Sequence, residues 1–228
     1  YPWPQATETP AKTAVTSLTR GWRAAEDAAV PRPDRAPHRA PQPPLPHHPQ
    51  AAVERGTHHH LFCELLDLAH AGSEDALRGQ ASCMAEEGWL TAEAAGDLDF
   101  QGLWAFWDSD TGRQIRAHAT HVHRELPFTL RLDPSDSASL SGLPAPAGLA
   151  PDDFQVVQGV IDLAVILPGE IWVVDFKTDR IEAGDTASRA AAYAPQVGLY
   201  ALALERIHRR PVPRRWLWFF APRQLVAV

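Results

Sequence analysis

The chain has 228 residues, 45% of them hydrophobic, with a formal net charge of -7 and a pI near 5.9. That apolar content supports a sizeable core and excludes wholesale disorder. The acidic balance argues against a domain whose main task is to grip nucleic acid unaided, because phosphate binding runs on clustered Lys and Arg, but it does not exclude an enzyme acting on nucleic acid, whose metal-binding carboxylates add negative charge of their own.

The chain opens Tyr1-Pro2-Trp3 and its sole methionine is Met84, so it reads as a piece of a longer polypeptide. Residues 1–30 form an N-terminal segment, with a short extended piece from Lys12 to Leu18 leading into a helix that runs to Ala29. Residues 31–53 read as a Pro-rich linker: eight prolines fall between Pro31 and Gln50, a composition without a core of its own. Residues 54–228 form the main domain, helical over 56–112 and strand-rich over 113–228. Leu61, Leu65 and Leu68 lie at i, i+4, i+7 on one helix face, and Leu90-Thr91 before an Ala/Glu run supplies an N-cap signal. Phe100, Leu103, Trp104 and Trp107 make a further stripe ending near Gly112, and these aromatics read as core rather than as a base-stacking platform. Strands follow, with Ile115 to Arg124 leading into Glu125 to Leu130. After a Ser/Pro/Gly loop over 133–151, Val156 to Leu167 and Ile171 to Phe176 form a hairpin around Pro168-Gly169. Gly184 to Arg209 is helical, restarting at Pro195, and Trp216 to Phe220 is the last strand.

Two cysteines, Cys63 and Cys83, leave no four-Cys zinc or iron–sulfur site and argue against a disulfide framework. No stretch is long and apolar enough to span a membrane, and no signal-peptide pattern opens the chain. Reduced thiols in a cytoplasmic protein are the expectation.

Asp175-Phe176-Lys177 ends the apolar run Ile171-Trp172-Val173-Val174. Strand alternation points Asp175 and Lys177 to the same face. A symmetric turn at Pro168-Gly169, of two or four residues, sets Asp162 opposite Asp175, and like charges so placed raise each other's pKa or recruit a cation. A hard divalent ion suits such a pair. The bland competitor has both acids in salt bridges with Lys177 or with arginines. Among the histidines, consecutive helical positions keep His58, His59 and His60 from sharing one metal. A lone His is weak evidence of a ligand by itself. His121, His123 and Glu125 share a strand face that reads as a solvated edge, with Glu125 supporting the site by hydrogen bonds. Arg206, Arg209, Arg210, Arg214 and Arg215 form the densest basic cluster, a candidate DNA guide or an ordinary solvated helix end.

Gly159-Val160-Ile161-Asp162, Val173-Val174-Asp175-Phe176-Lys177-Thr178-Asp179 and Tyr193-Ala194-Pro195-Gln196-Val197-Gly198-Leu199-Tyr200 resemble the GxIDL, VDYKT and YxxQLxxY motifs of the RecB-type nuclease domain. That is the branch of the PD-(D/E)XK superfamily found at the C-terminus of RecB and AddA helicase–nuclease subunits. Arg55-Gly56-Thr57 with His60 is similar to its RGTxxH segment, and Arg124-Glu125-Leu126-Pro127-Phe128 to its RExPF stretch. The resemblance implies an α/β fold with a mixed central β-sheet flanked by helices (restriction-endonuclease-like) and an N-terminal helical part. It implies metal ligation by His60, Asp162, Asp175 and the backbone carbonyl of Phe176, with Lys177 beside the attacking water. Gln196 and Tyr200 would act from the following helix, supported by Tyr193 and Glu125. Two departures stand out: Phe176 replaces the usual Tyr, and Pro195 directly precedes Gln196.

The expected activity is Mg-dependent hydrolysis of DNA phosphodiesters, an exonuclease in which Mn may substitute for Mg and no iron–sulfur cluster takes part. Expected partners are DNA, a helicase region in the same polypeptide and a second helicase–nuclease subunit, in the nucleoid-associated cytoplasm of a bacterium acting on double-strand breaks. Two alternatives compete: a catalytically silent DNA-binding or scaffolding domain, and a standalone exonuclease. No GxxxxGK-Ser/Thr phosphate-binding loop occurs in these residues, so any ATP-driven motor lies outside them.

Overall fold

The computed structural model describes residues 12–15, 49–133, 135–136, 140 and 154–228. The helix expected to follow Leu18, most of the Pro-rich linker and nearly all of the loop over 133–151 lie outside the described residues. The elements in chain order are β1 (Lys12–Ala14), α1 (Pro49–Leu65), α2 (Glu74–Glu86), α3 (Ala92–Gly96), α4 (Phe100–Trp107), α5 (Asp110–Ala117), β2 (Val122–Leu132), β3 (Gln155–Ile166), β4 (Ile171–Lys177), α6 (Thr186–His208), β5 (Arg214–Phe219) and β6 (Gln224–Ala227). Helix α1 starts at Pro49, inside the segment read as linker, because proline is tolerated in a first turn.

The helical part is a chain of short capped helices. Ser73, Thr91, Asp99 and Ser109 each accept a hydrogen bond from the backbone N–H three residues on, satisfying one orphan donor at the start of α2, α3, α4 and α5. The Thr91 cap is where its sequence placed it. The stripe on α1 is rotated from expectation: Phe62 and Leu66 are fully buried, while Leu61 and Leu65 pack only partly and Leu68 lies in a following 3-10 turn. Gly112 does not end a helix but sits inside α5, and Ile115 is helical rather than extended.

Strands β1, β3, β4, β5 and β6 are neighbours in that order, and β2 pairs with β3, giving a mixed six-stranded sheet. β3 runs antiparallel to β2 along its whole length, while its other edge carries parallel β1 at residues 156–158 and antiparallel β4 at 163–166. The hairpin turn is symmetric, as expected: Ile166 pairs with Ile171 and Leu163 with Val174, around four turn residues. A second strand, β6, follows β5, one more than the sequence suggested. Helix α6 runs unbroken through Pro195, where a restart was expected; a proline there removes one backbone bond at a cost of about 3 kcal/mol. Burial of Val197, Leu199, Ala203 and Leu204 on this 23-residue helix offsets it.

Two apolar layers sandwich the sheet. α1–α5 cover one face through Phe62, Leu103, Phe106, Trp107, Val174, Phe176 and Trp218. α6 covers the other through Val197, Leu199, Tyr200, Val173, Leu217 and Phe219. The result is the α/β architecture that the motifs implied.

Alternation along the central ribbon changes phase at one place. In β3, Val157 and Ile161 pack on the α6 side but Leu163 and Val165 on the other; in β2, Phe128 and Leu130 pack on the α6 side but Val122 on the other. The register on either side of the change is unbroken, with Arg124 opposite Leu163 and Leu126 opposite Ile161. Glu125 sits between them with φ 45°, in the left-handed region that turns a strand over.

Candidate active site

The phase change creates the site. By the register on both sides, Glu125 of β2 lies opposite Asp162 of β3. Beyond Leu163↔Val174, β3 and β4 part, and the Asp162 carboxylate takes up the freed donor: Phe176 N–H donates to Asp162 Oδ2 at 2.7 Å. Three neighbouring strands thus bring Glu125, Asp162 and Asp175 to one end of the sheet.

Helix α1 adds His60. Its Nδ1 lies 3.3 Å from Glu125 Oε1 and 3.5 Å from Asp162 Oδ1. Among the described residues, His60, Glu125 and Asp162 form a group able to hold a metal, with one ligand atom each within 4.8 Å of one another. One His and two carboxylates suit a hard divalent ion. The neighbouring histidines go elsewhere, as consecutive helical positions require. His59 is buried, accepts from Asp99 N–H at 2.9 Å through Nε2 and packs on the Phe220 ring, while His58 Nδ1 lies 3.5 Å from Asp97.

Asp175 and Lys177 share a face, as alternation demands. Lys177 Nζ is 2.7 Å from Asp175 Oδ2 and 3.0 Å from Gln196 Oε1, and it lies 4.2 Å from the Tyr193 ring centroid. Gln196 Nε2 donates to the Tyr200 hydroxyl at 2.6 Å, and the Tyr193 hydroxyl donates to Asp179. Tyr193, Gln196 and Tyr200 lie on one face of α6 and address the ammonium as a unit. The Lys177 side chain is only 13% exposed, and those partners offset the cost of burying its charge.

The electrostatics are those of crowded acids. Burial disfavours the imidazolium of His60, but the hydrogen bond with Glu125 and the charges of Asp162, Glu125 and Asp175 outweigh it and raise its pKa to about 9. Burial, then the charge of Asp175, pushes Asp162 up to about 7 against the opposing pull of His60, Lys177 and the Phe176 N–H. Burial also raises the Tyr200 phenol, keeping it neutral. A cluster that holds its own proton in this way has the donor chemistry of a cation site.

Several expectations need correction. His121, His123 and Glu125 do not share one strand face: His121 falls in a 3-10 turn, and the left-handed backbone at Glu125 breaks the alternation. Glu125 is within hydrogen-bond reach of His60, in keeping with the supporting role expected of it, and it also belongs to the group able to hold a metal. Three of the five C-terminal arginines make contacts within the fold, which leaves their part in guiding DNA open to either reading. Arg206 donates to the Arg131 carbonyl and pairs with Asp136, and Arg209 is the left-handed C-cap of α6. Arg210 donates to the Leu167 carbonyl at the hairpin turn, at the other end of β4 from Asp175. Arg214 lies over the Trp172 ring and donates to Gln114. Two residues escaped the sequence reading. Arg124 donates to the Cys63 and Leu66 carbonyls, tying the end of α1 to β2 one residue before Glu125. Asp179 holds the Tyr193 hydroxyl. Both lie inside quoted motifs, and that adjacency was the available signal.

A sheet whose central strands part around clustered carboxylates, with a lysine and a histidine at the split, defines a nuclease-type site. Residues 21–226 match the family model of the PD-(D/E)XK nuclease superfamily, and the chain belongs to that superfamily. Among curated relatives, it is 32% identical to an ATP-dependent helicase/nuclease subunit from Bacillus cereus (strain Q1), covering all of this chain and 18% of the relative. It is 34% identical to proteins of the same name from Desulforudis audaxviator and Moorella thermoacetica, each over 96% of this chain and over 18% and 15% of the relative. The chain thus spans less than a fifth of the relatives it matches. No described helix is long and apolar enough to cross a membrane.

Proposed function

We propose that this domain is a metal-dependent deoxyribonuclease, the exonuclease module of an ATP-driven helicase–nuclease that processes double-strand breaks with a second subunit. The observation that carries the reading is the His60, Glu125 and Asp162 group beside the Asp175–Lys177 pair. The names of the relatives support the motor and its placement in the same polypeptide.

The cation is Mg²⁺, with Mn²⁺ able to substitute. His60, Glu125 and Asp162 would hold it, joined by Asp175 and the Phe176 carbonyl as the motifs imply. Bound there, it supplies Lewis acidity to the scissile phosphate and lowers the pKa of a coordinated water. The protein does the rest by placement. Asp175 and Gln196 fix the Lys177 ammonium, which orients the attacking water and offsets charge developing on the phosphate. Paired with Asp175, Lys177 acts by charge and position rather than as a base. Tyr200 holds Gln196 in place, and the Tyr193 ring lies against the Lys177 ammonium.

The test is Mg-dependent cleavage of linear DNA by this chain and its Asp175→Ala and Lys177→Ala variants. Each substitution should lower the rate at least about a hundredfold, the scale of losing one preorganised transition-state contact. Undiminished cleavage by both variants would remove the site.

A further inference from the structure

Among the described residues, one face of the β2–β3 ribbon is uncovered beyond the catalytic end. Three cross-strand pairs lie along it: Pro127 opposite Val160, Thr129 opposite Gln158, and Arg131 opposite Val156. Phe154 follows, with the Arg131 guanidinium 4.2 Å from its ring centroid. Gly159 points the other way, where an added Cβ would meet Phe128 and Val15 at 2.8 Å, so the outward set is unambiguous. An antiparallel ribbon that faces water on one side ordinarily presents polar side chains there. This one presents Phe154 and Val160 at 47% and 43% exposure, two of the four large apolar side chains exposed among the described residues. A cleft of about 550 Å³ lies over Pro127, Thr129, Gln158 and Val160.

The strip runs straight into the candidate active site. Asp162 is two residues beyond Val160 on β3, and Glu125 is two residues before Pro127 on β2. From Phe154 to Val160 the ribbon extends roughly 20 Å at about 3.3 Å per residue. Resting on the nuclease reading, we infer that this face is the track on which a single DNA strand lies as its phosphodiester reaches His60, Glu125 and Asp162. Bases stack on Phe154 and on the Val160–Pro127 pair, and a phosphate takes Arg131. The Arg131–Asp133 pair at 2.9 Å is solvent-exposed, so a phosphate exchanges with the carboxylate at small cost. Gln158 donates to Thr129 at 3.0 Å and keeps its own carbonyl oxygen for a base edge. A single strand fits and a duplex does not, because stacking on side chains needs open base faces.

The test is fluorescence anisotropy of a short labelled oligodeoxythymidylate with this chain in EDTA, comparing wild type with Phe154→Ala, Val160→Asp and Arg131→Ala. Phe154→Ala should raise Kd by roughly fivefold or more, the lower end for loss of one base–aromatic stack. Val160→Asp should do the same through charge repulsion, and Arg131→Ala should flatten the salt dependence of Kd. Hydrolysis of bis(p-nitrophenyl) phosphate, a diester too small to reach the strip, should keep its wild-type rate in all three. Unchanged Kd in Phe154→Ala and Arg131→Ala overturns the track while leaving the nuclease reading standing. Failure of the wild type to hydrolyse the small diester in Mg²⁺ or Mn²⁺ counts against the nuclease reading instead, and the oligonucleotide Kd values still decide the track. A larger loss for the matching duplex than for the single strand overturns the single-strand assignment. Thermal midpoints identify any variant that misfolds, and Arg131→Ala, at an exposed position, keeps the test decisive.

Discussion

Gln196 links the Lys177 ammonium to the Tyr200 phenol. It is nearly buried, accepts from Lys177 and donates to Tyr200, so both of its ends are committed. Gln196→Leu leaves an ammonium and a phenol each short of a partner in a region of low dielectric. We expect kcat to fall by roughly ten- to a hundredfold, the usual scale for groups that orient a reacting side chain, with KM little changed. Steady-state kinetics on linear DNA check this; a rise in KM alone would mean that Gln196 contacts substrate instead. At this scale the sequence was readable wherever alternation or helical spacing sufficed. Asp175 with Lys177, and Tyr193 with Gln196 and Tyr200, follow from periods of two and of about 3.6. Glu125 resisted, because its contact with His60 depends on a left-handed backbone that no periodicity announces.

Among the elements, α5 and α2 contain matched glycines with opposite expected behaviour. Gly112 in α5 packs against the end of α4, where an added Cβ would lie 2.1 Å from the Phe106 carbonyl oxygen and 2.8 Å from Trp107 Cα. Backbone atoms cannot step aside as a side chain can, so Gly112→Ala should destabilise by about 1–3 kcal/mol or more despite the better helix propensity of alanine. Gly79 in α2 is exposed, with nothing within 4 Å of an added Cβ, so Gly79→Ala should stabilise by about 0.5–1 kcal/mol. Urea unfolding of the two variants measures both; a shared sign would refute the packing account of Gly112. The same contrast explains why Gly112 reads in sequence as a helix end. Composition signals a break, and only the neighbouring helix reveals a close approach. Pro195 misleads in the same way, since the burial that holds α6 together comes from the sheet beneath it.

Over the whole molecule, the acid cluster couples folding to pH and to cations. His60 has its pKa raised from 6.5 to about 9, so its contribution to the metal-free fold is complete below pH 6.5 and disappears as pH climbs through 9. Asp162 has its pKa raised from 3.8 to about 7, so its ionisation in the fold is a penalty that grows across that interval. Both make the metal-free protein less stable as pH rises. A divalent ion needs the neutral imidazole and the ionised carboxylates, so its binding releases protons and its affinity rises over the same range. The gap in Tm between protein in Mg²⁺ or Mn²⁺ and protein in EDTA should therefore widen from pH 6 to pH 9. A gap that stays flat or narrows would show that His60 and Asp162 do not bind the ion.

The amino-acid order alone determined the hairpin register, the shared face of Asp175 and Lys177, and the Thr91 cap of α3. Each depends on contacts a few residues apart or on a fixed backbone period. The tertiary structure alone decided that β3 parts from β4 beside Asp162, that Glu125 reaches His60, and that Arg206 and Arg210 bind the fold's own carbonyls. Those outcomes join groups 14 to 75 residues apart or turn on one unusual φ, and local chemistry carries no record of which partner will meet it.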